Sequence, residues 1–340
     1  MPRLPAEWEA QDAILMAWPH PETDWLETLE AAEQTFAAII AAIVRYQPVI
    51  LLCPDPATTR QRLEAFGVNP ARVQCHAVST NDTWARDFGP ITIEEVGRPV
   101  LQDFGFNGWG LKFASDRDNQ ATAALHALGV FGDVERRIQG MVLEGGSIES
   151  DGEGTLLTTR ACLLSPNRNP HWTRERIEHE LETTLGAKRV LWLEDGYLEG
   201  DDTDSHIDTL ARLCPDHTIV YQRCDQPADP HFVALARMET QLAALRSNEN
   251  TPYRLLALPW PQAKFDPDQH RLPATYANYL VINGAVLVPT YNDPADEAAL
   301  AVIRQGFPER DIIGINCEAL IRQHGSLHCV TMQLPRGTLA

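Results

Sequence analysis

The sequence lacks any apolar run long enough to cross a bilayer; "AAIIAAIV" (37–44) stops at Arg45 and fits a buried helix face. The first ten residues, MPRLPAEWEA, carry acids where a signal peptide needs a basic and then an apolar stretch, so a cytoplasmic protein without membrane contact is expected. C-x-x-C pairs are missing. The seven cysteines, Cys53, Cys75, Cys162, Cys214, Cys224, Cys317 and Cys329, are odd in number and scattered, which argues against a disulfide framework or a zinc ribbon. Basic residues are few: 28 Lys and Arg against 47 Asp and Glu give a formal charge of −19. A chain so acidic repels phosphate backbones, which excludes nucleic acid and anionic membranes as natural partners and mildly favours a small cation. No low-complexity stretch or Gly/Ser linker divides the 340 residues, so one domain over 1–340 is expected. Hydrophobic residues at 44% and charged residues at 22% exclude a disordered, collagenous or coiled-coil chain.

What is present is an alternation of helical and strand patterns. Leu29, Ala32, Phe36, Ile39, Ile40 and Ile43 recur at helical spacing within 24–45, and Asp24 with Glu27 reads as a capping box. "PVILLCPD" (48–55) reads as a buried strand. Further helices are expected over 173–185, ended by Gly186, over 230–246, and over 294–305 with Asp293 as N-cap, Pro294 at its first position and Gly306 just past its end. "RVLWL" (189–193) reads as a strand. Hairpins are expected over 147–159, turning at Asp151-Gly152-Glu153-Gly154, across 215–217, and at Asn283-Gly284. Residues 246–253 read as a surface loop.

A polar residue stands near the opening of each hairpin: Asp87, Glu144, His206, Asn278 and Cys329. They recur at roughly 50- to 70-residue intervals, which suggests five strand–strand–helix–strand units that each place one polar residue at a common centre. A doubly wound α/β sheet is the plainer rival that pattern alone leaves open.

Four segments could carry chemistry: "NDTWARDFGP" (81–90), "LEGGSI" (143–148), "GDDTDSHID" (200–208) and "HGSLHC" (324–329). Singly, each has an ordinary structural reading, as a turn acid, a loop carboxylate, a hydrogen-bonded histidine or a buried thiol. Together they form a kit. A guanidinium is planar and permanently cationic, so carboxylates such as Asp87, Asp208 and Glu144 recognise it best. Its central carbon is a poor electrophile, and a thiolate is a strong nucleophile. A free thiol ionises at about 8.5 and needs a cationic neighbour, which the substrate itself can be. A histidine can protonate a leaving amine and then deprotonate water.

With these segments in view, the chain resembles the agmatine deiminase / bacterial peptidylarginine deiminase-like family of the guanidine-modifying superfamily. The motifs run from "LPAEWE" and "MAWPHPETDW" through "WARDFGP", "LEGGSI", "LLSPNRNP" and "SHID" to "LHCVTMQLP", nearly the whole chain. The resemblance implies the pentein fold, an α/β propeller of five pseudo-symmetric ββαβ units around a central active site. It implies hydrolysis of a small cationic guanidine, agmatine first, without a metal or other cofactor, and a homodimer. By motif, Cys329 would be the nucleophile and His206 the general acid/base. Asp208 and Asp87 would clamp the guanidinium, Glu144 would contact it or orient His206, and Trp84 would wall the pocket. Asp202 stands where agmatine deiminases carry a glutamate that meets the free amine.

The chain departs from the agmatine deiminase pattern at His324-Gly325-Ser326-Leu327 and at Asp202-Thr203-Asp204-Ser205. These departures leave peptidyl-arginine open as the substrate. Asp201, Asp202 and Asp204 crowd the approach to His206, and at least one is expected to face the substrate tail. Two rivals start from other chemistry. Asp204-x-His206-x-Asp208 looks like one manganese motif of the ureohydrolases, and His324, His328 and Cys329 could bind zinc. Alternatively, the scaffold could be a binding protein without catalysis, or could transfer the amidino group to an amine.

Overall fold

A computed structural model describes residues 2–339. Five of the six sheets among the described residues share one connection, an antiparallel pair, a helix, and a third strand parallel to the second; the sixth is the small pair Lys264–Phe265 and Arg271–Leu272. Unit 1 is Ile91–Glu95, Arg98–Gly105 and Glu135–Val142, crossing over through the helix Ala121–Ala127. Unit 2 is Ile148–Ser150, Thr155–Thr159 and Arg189–Leu193, with the helix Arg174–Leu185. Unit 3 is Ala211–Cys214, Thr218–Gln222 and Arg254–Leu258, with the helix Phe232–Ala244. Unit 4 is Leu280–Ile282, Ala285–Thr290 and Asp311–Asn316, with the helix Asp296–Gly306.

Unit 5 is built from both halves of the chain. Met332–Pro335 pairs antiparallel with Gln11–Ala17, and the helix Leu29–Ile43 leads to the parallel strand Val49–Cys53. A fourth strand, Val73–Ala77, extends this sheet. This is the pentein propeller of ββαβ units that the resemblance implies, and the doubly wound sheet is set aside.

The sequence explains the layering. The second strands of units 2 to 5 are almost wholly buried, so uncharged and mostly apolar or β-branched residues fill them, as in "AILMA", "TLLTT", "TIVYQ" and "AVLVPT". Phe36, Ile39, Ile40 and Ile43 are fully buried, and each such side chain removed from water stabilises the fold by roughly 1.5–3 kcal/mol.

Two helix starts differ from expectation. Asp24 and Glu27 make no capping box: a 3-10 turn, Leu26–Thr28, precedes the first helix, whose N-cap Thr28 makes no side-chain cap bond. The unit 4 helix begins at Asp296 with Ala295 as N-cap and runs through Gly306. Asp293 caps the turn ahead of it, accepting from the Ala295 amide at 2.9 Å, while the Asp296 carboxylate takes the amides of Tyr291 and Asp293. The Gly186 stop, with φ 74°, and the three hairpin turns stand as expected.

Candidate active site

Each unit's first strand is entered through a short polar segment, and all five segments converge. Asp87 lies in the single turn Ala85–Phe88, Glu144 just before Gly145–Ser147, Asp208 in the turn Ile207–Thr209 that His206 enters, Asn278 before Leu280, and Cys329 before Met332. The Arg86 amide donates to the Cys329 carbonyl at 3.1 Å. Asn278 Oδ1 accepts from the His328 amide at 2.9 Å and lies 3.4 Å from Cys329 Sγ. The Gly146 amide donates to Asp87 Oδ1 at 3.0 Å.

Gly146 is where close approach demands glycine. A Cβ there would lie 2.6 Å from His206 Nδ1, 2.9 Å from Asp87 Oδ1 and 3.1 Å from Asp208 Oδ2. These distances bring three of the expected catalytic groups around one backbone position. Gly325 is similar: its Cβ would strike the Trp84 ring at 2.2 Å.

The chain is strained on entry to His206. Asp204 and Ser205 both adopt left-handed φ values, 64° and 66°. They are held by Asp201, which accepts from the amides of Thr203 and Ser205, and by Thr159, whose hydroxyl donates to the Ser205 carbonyl. Trp109 is also left-handed, φ 55°, between Gly108 and Gly110. That turn delivers its indole N–H to Asp87 Oδ2 at 2.9 Å.

A cavity of about 270 Å³ opens onto Cys329, Asp87, Trp84, Trp109, Phe113 and Asp202. Asp24, Asp82, Trp109 and Phe113 also line a second space of about 500 Å³, so they mark the boundary where one cavity passes into the other. The aromatic rings give flat walls, and the carboxylates give the charge.

Acids dominate the electrostatics around Asp87 and Cys329. Burial, then the neighbouring Asp208 and Glu144, push Asp87 well above the usual carboxylate range. Burial also pushes Asp208 up, but the hydrogen bond and charge of His328 outweigh it and hold Asp208 below its ordinary value. Burial, Asp208 and Asp87 drive the Cys329 thiol well above normal. Burial pushes His206 down to about 3, so its 3.7 Å approach to Asp87 is not an ion pair. Both His206 nitrogens and Asp208 Oδ1 are buried without a hydrogen-bond partner. Buried polar atoms are seldom left so, and these three stand together.

One expectation needs correction, the contact between Glu144 and the guanidinium. Glu144 does not face the cavity: both its oxygens accept from Arg168 Nε, at 2.8 and 3.0 Å, and both side chains are buried. Burial raises its pKa and Arg168 opposes the rise. Of the three aspartates before His206, only Asp202 reaches the cavity. Asp201 is spent on the turn, and Asp204 pairs with Lys112 at 2.7 Å and Arg168 at 2.6 Å because these cations lie on its side of the loop. Asp202 Oδ2 lies 3.9 Å from His324 Nε2.

The metal readings fit poorly. Asp204 turns to its cations, so Asp204, His206 and Asp208 do not converge as a ligand set. Glu144, Cys162 and His206 each bring one donor atom into a common space, but Glu144 is saturated by the Arg168 guanidinium. His328 faces Asp208 and Glu7, and His324 Nδ1 lies 2.7 Å from the Gly200 carbonyl, so these two do not join Cys329. Asp266, Asp268 and His270 form a surface group away from the cavity.

The sequence model of the Porphyromonas-type peptidyl-arginine deiminase family matches residues 3–335. The chain belongs to this family of guanidine-modifying hydrolases. The agmatine deiminase of Pseudomonas aeruginosa (strain LESB58) is 31% identical, over 98% of this chain and 95% of its own. Among solved structures, an agmatine deiminase from C. jejuni, in a cysteine-to-serine form with substrate bound, superposes with a TM-score of 0.92 at 36% identity, covering 99% of this chain and 97% of its own. A Porphyromonas gingivalis protein, provisionally described as an arginine deiminase, superposes with a TM-score of 0.94 at 48% identity over the whole of both chains.

Sequence reasoning missed Arg168, Trp109, Phe113 and Asp82. "NRN" and "NGWG" were legible as strings, but nothing in one sequence shows that Arg168 meets Glu144 or that Trp109 meets Asp87. Among the described residues, no helix is long and apolar enough to cross a membrane.

Proposed function

We propose that the protein hydrolyses the guanidine group of agmatine to N-carbamoylputrescine and ammonia through a covalent intermediate on Cys329. The observation that carries this reading is the cluster of partnerless atoms: Asp208 Oδ1 and both His206 nitrogens, beside the buried Asp87 carboxyl and the Cys329 thiol. A guanidinium placed there gives Asp87 and Asp208 the cation they lack. Charge-assisted hydrogen bonds of this kind contribute roughly 1.5–3 kcal/mol each.

Binding also prepares the nucleophile. The carboxylates that hold the thiol protonated are the ones a guanidinium neutralises, so substrate lowers the barrier to forming the thiolate. Sγ attacks the guanidinium carbon. His206 carries the released proton to the departing amine, and ammonia leaves. Water then attacks the thiouronium carbon, giving its proton to His206, and the C–S bond breaks to release the ureido product. Glu144, locked to Arg168, supports His206 from behind without touching substrate. Trp84, Trp109 and Phe113 wall the alkyl chain, and Asp202 faces the distal ammonium.

A peptidyl-arginine substrate is the second reading. The family's own description favours it. The acids lining the cavity, Asp24, Asp82 and Asp202, favour the smaller dication. The test is to incubate chelator-treated protein with agmatine, free arginine and an arginine peptide, and to quantify ammonia and ureido product. Agmatine should be turned over fastest. Faster turnover of the peptide moves the function to the second reading, and urea in place of ammonia removes both.

A further inference from the structure

Behind the catalytic groups lies a second ring of buried charge that the proposed reaction does not use. All five units reach it: Arg86 from unit 1, Glu149 from unit 2, Arg212 from unit 3, the Val281 amide from unit 4 and His328 from unit 5. Glu7, from the segment ahead of the first unit 5 strand, occupies its middle. Glu7 Oε1 accepts from the Val281 amide at 2.7 Å. Glu7 Oε2 lies 2.6 Å from His328 Nε2, 3.0 Å from Arg212 and 3.6 Å from Arg86. Arg212 also pairs with Glu149 and approaches His328 Nε2 at 3.0 Å. Burial would raise Glu7, but the charges of His328, Arg212 and Arg86 outweigh it and hold the carboxylate below its usual range.

A side-chain contact joins this ring to the site. His328 Nδ1 lies 2.7 Å from Asp208 Oδ2. Asp208 therefore has one oxygen tied and the other, Oδ1, partnerless. A carboxylate held by one oxygen cannot rotate without breaking that bond, so the direction of its free oxygen is set by the His328 ring. The ring is in turn fixed at its far nitrogen by Glu7.

We propose that Glu7 and His328 are positioning residues: Glu7 fixes the His328 ring, His328 fixes Asp208 Oδ2, and Asp208 Oδ1 is thereby aimed at the guanidinium. The inference rests on the reading of Asp208 as a guanidinium clamp. It makes residues 321 positions apart, Glu7 and His328, one device. Neither touches substrate.

The test separates aim from fold. Alkylation of Cys329 is followed by peptide mapping with 2-chloroacetamidine, a cation shaped like the reacting group, and with neutral 2-chloroacetamide. The ratio of the two rates reports the clamp, whereas loosened packing changes both rates alike. The wild type should prefer the amidine. His328→Gln can keep the Glu7 contact but not the Asp208 contact, and should lower the ratio about tenfold, as for loss of one charged hydrogen bond. His328→Asn can keep a donor toward Asp208 and should lower it less. Glu7→Gln should lower it severalfold in the wild type and not at all in the His328→Gln background, since both act through one contact. Ammonia release from agmatine is measured on the same samples.

A wild-type ratio near one overturns the clamp reading itself. A high wild-type ratio that neither Glu7→Gln nor His328→Gln changes overturns the positioning role alone, as do additive losses in the double variant. If Glu7→Gln does not fold, the Gln and Asn variants of His328 decide. Unfolding of those two as well makes the ring a fold element and overturns the proposal.

Discussion

Two layers of buried polar groups meet at Asp208, and they differ in one respect. In the layer of Glu7, Arg86, Glu149, Arg212 and His328, opposite charges face one another; Arg212, fully buried, reaches Glu7, Glu149 and two backbone carbonyls. In the layer of Asp87, His206, Asp208 and Cys329, acids face acids, both imidazole nitrogens are empty-handed, and the thiol is held protonated. Burial is equal in both, so burial does not mark the site. The counter-charge does: in one layer acids face cations, although Arg86 Nη2 has no hydrogen-bond partner, and in the other acids face acids.

Changes in the open layer should stop chemistry and spare the fold. Cys329→Ser should lower turnover at least about 10³-fold with little change in melting temperature, since serine lacks the thiolate chemistry. Retained activity would defeat the assignment. Gly146→Ala places a methyl between His206, Asp87 and Asp208 and should cost about 10²-fold in kcat/KM. Circular dichroism and steady-state kinetics on the same sample separate this from unfolding.

The closed layer should respond in the opposite way. Arg212→Met leaves the buried Glu149 without its main cation and Glu7 without one of its three, and breaking such a pair from one side costs about 3–5 kcal/mol. Chemical denaturation measures this directly. An unchanged midpoint would mean that the layer is not held by its charges.

The contrast follows from how much of each layer one sequence can show. The open layer was largely legible, because Asp87, Glu144, His206, Asn278 and Cys329 each precede a strand and recur at similar intervals. Cys329 and His206 also belong to residue types whose chemistry is recognisable in isolation. The closed layer was not legible. Glu7 meets His328 and Arg212 across most of the chain, and a buried Arg looks like a surface Arg in one dimension. Arg168 hid for the same reason, and without it the sequence left two roles for Glu144, contacting the guanidinium or orienting His206. The capping box at Asp24 failed because a 3-10 turn absorbs the first residues of the apolar pattern.

The cavity boundary lies between the two extremes. Burial, and then the nearby Asp24, raise Asp82 to about 7 against the bonds it accepts from Thr83 and Trp84. Burial likewise raises Asp118 to about 7. A raised carboxyl is neutral below that value and anionic above it, so a dication should bind better as pH rises from 6 to 8. The KM for agmatine should fall severalfold over that interval, and Asp82→Asn should flatten the change. A KM that rises with pH would contradict the sign.

Asp202→Asn should give the smallest effect. Its side chain is 41% exposed, and solvent screens its pull on an ammonium. A loss of about tenfold or less in kcat/KM for agmatine is expected, with little loss for an alkylguanidine that has no amine. Equal losses on both would return Asp202 to the role of a turn residue.

The central claim is that the open layer is completed by a guanidinium and that Cys329 then attacks it. Rapid-quench mass spectrometry of the wild type turning over agmatine tests this most directly. The account predicts a transient amidino adduct, mapped to the peptide holding Cys329, that forms with the first ammonia and decays with the ureido product. Steady turnover with no adduct on that peptide, or with the adduct on another of the seven cysteines, would contradict it.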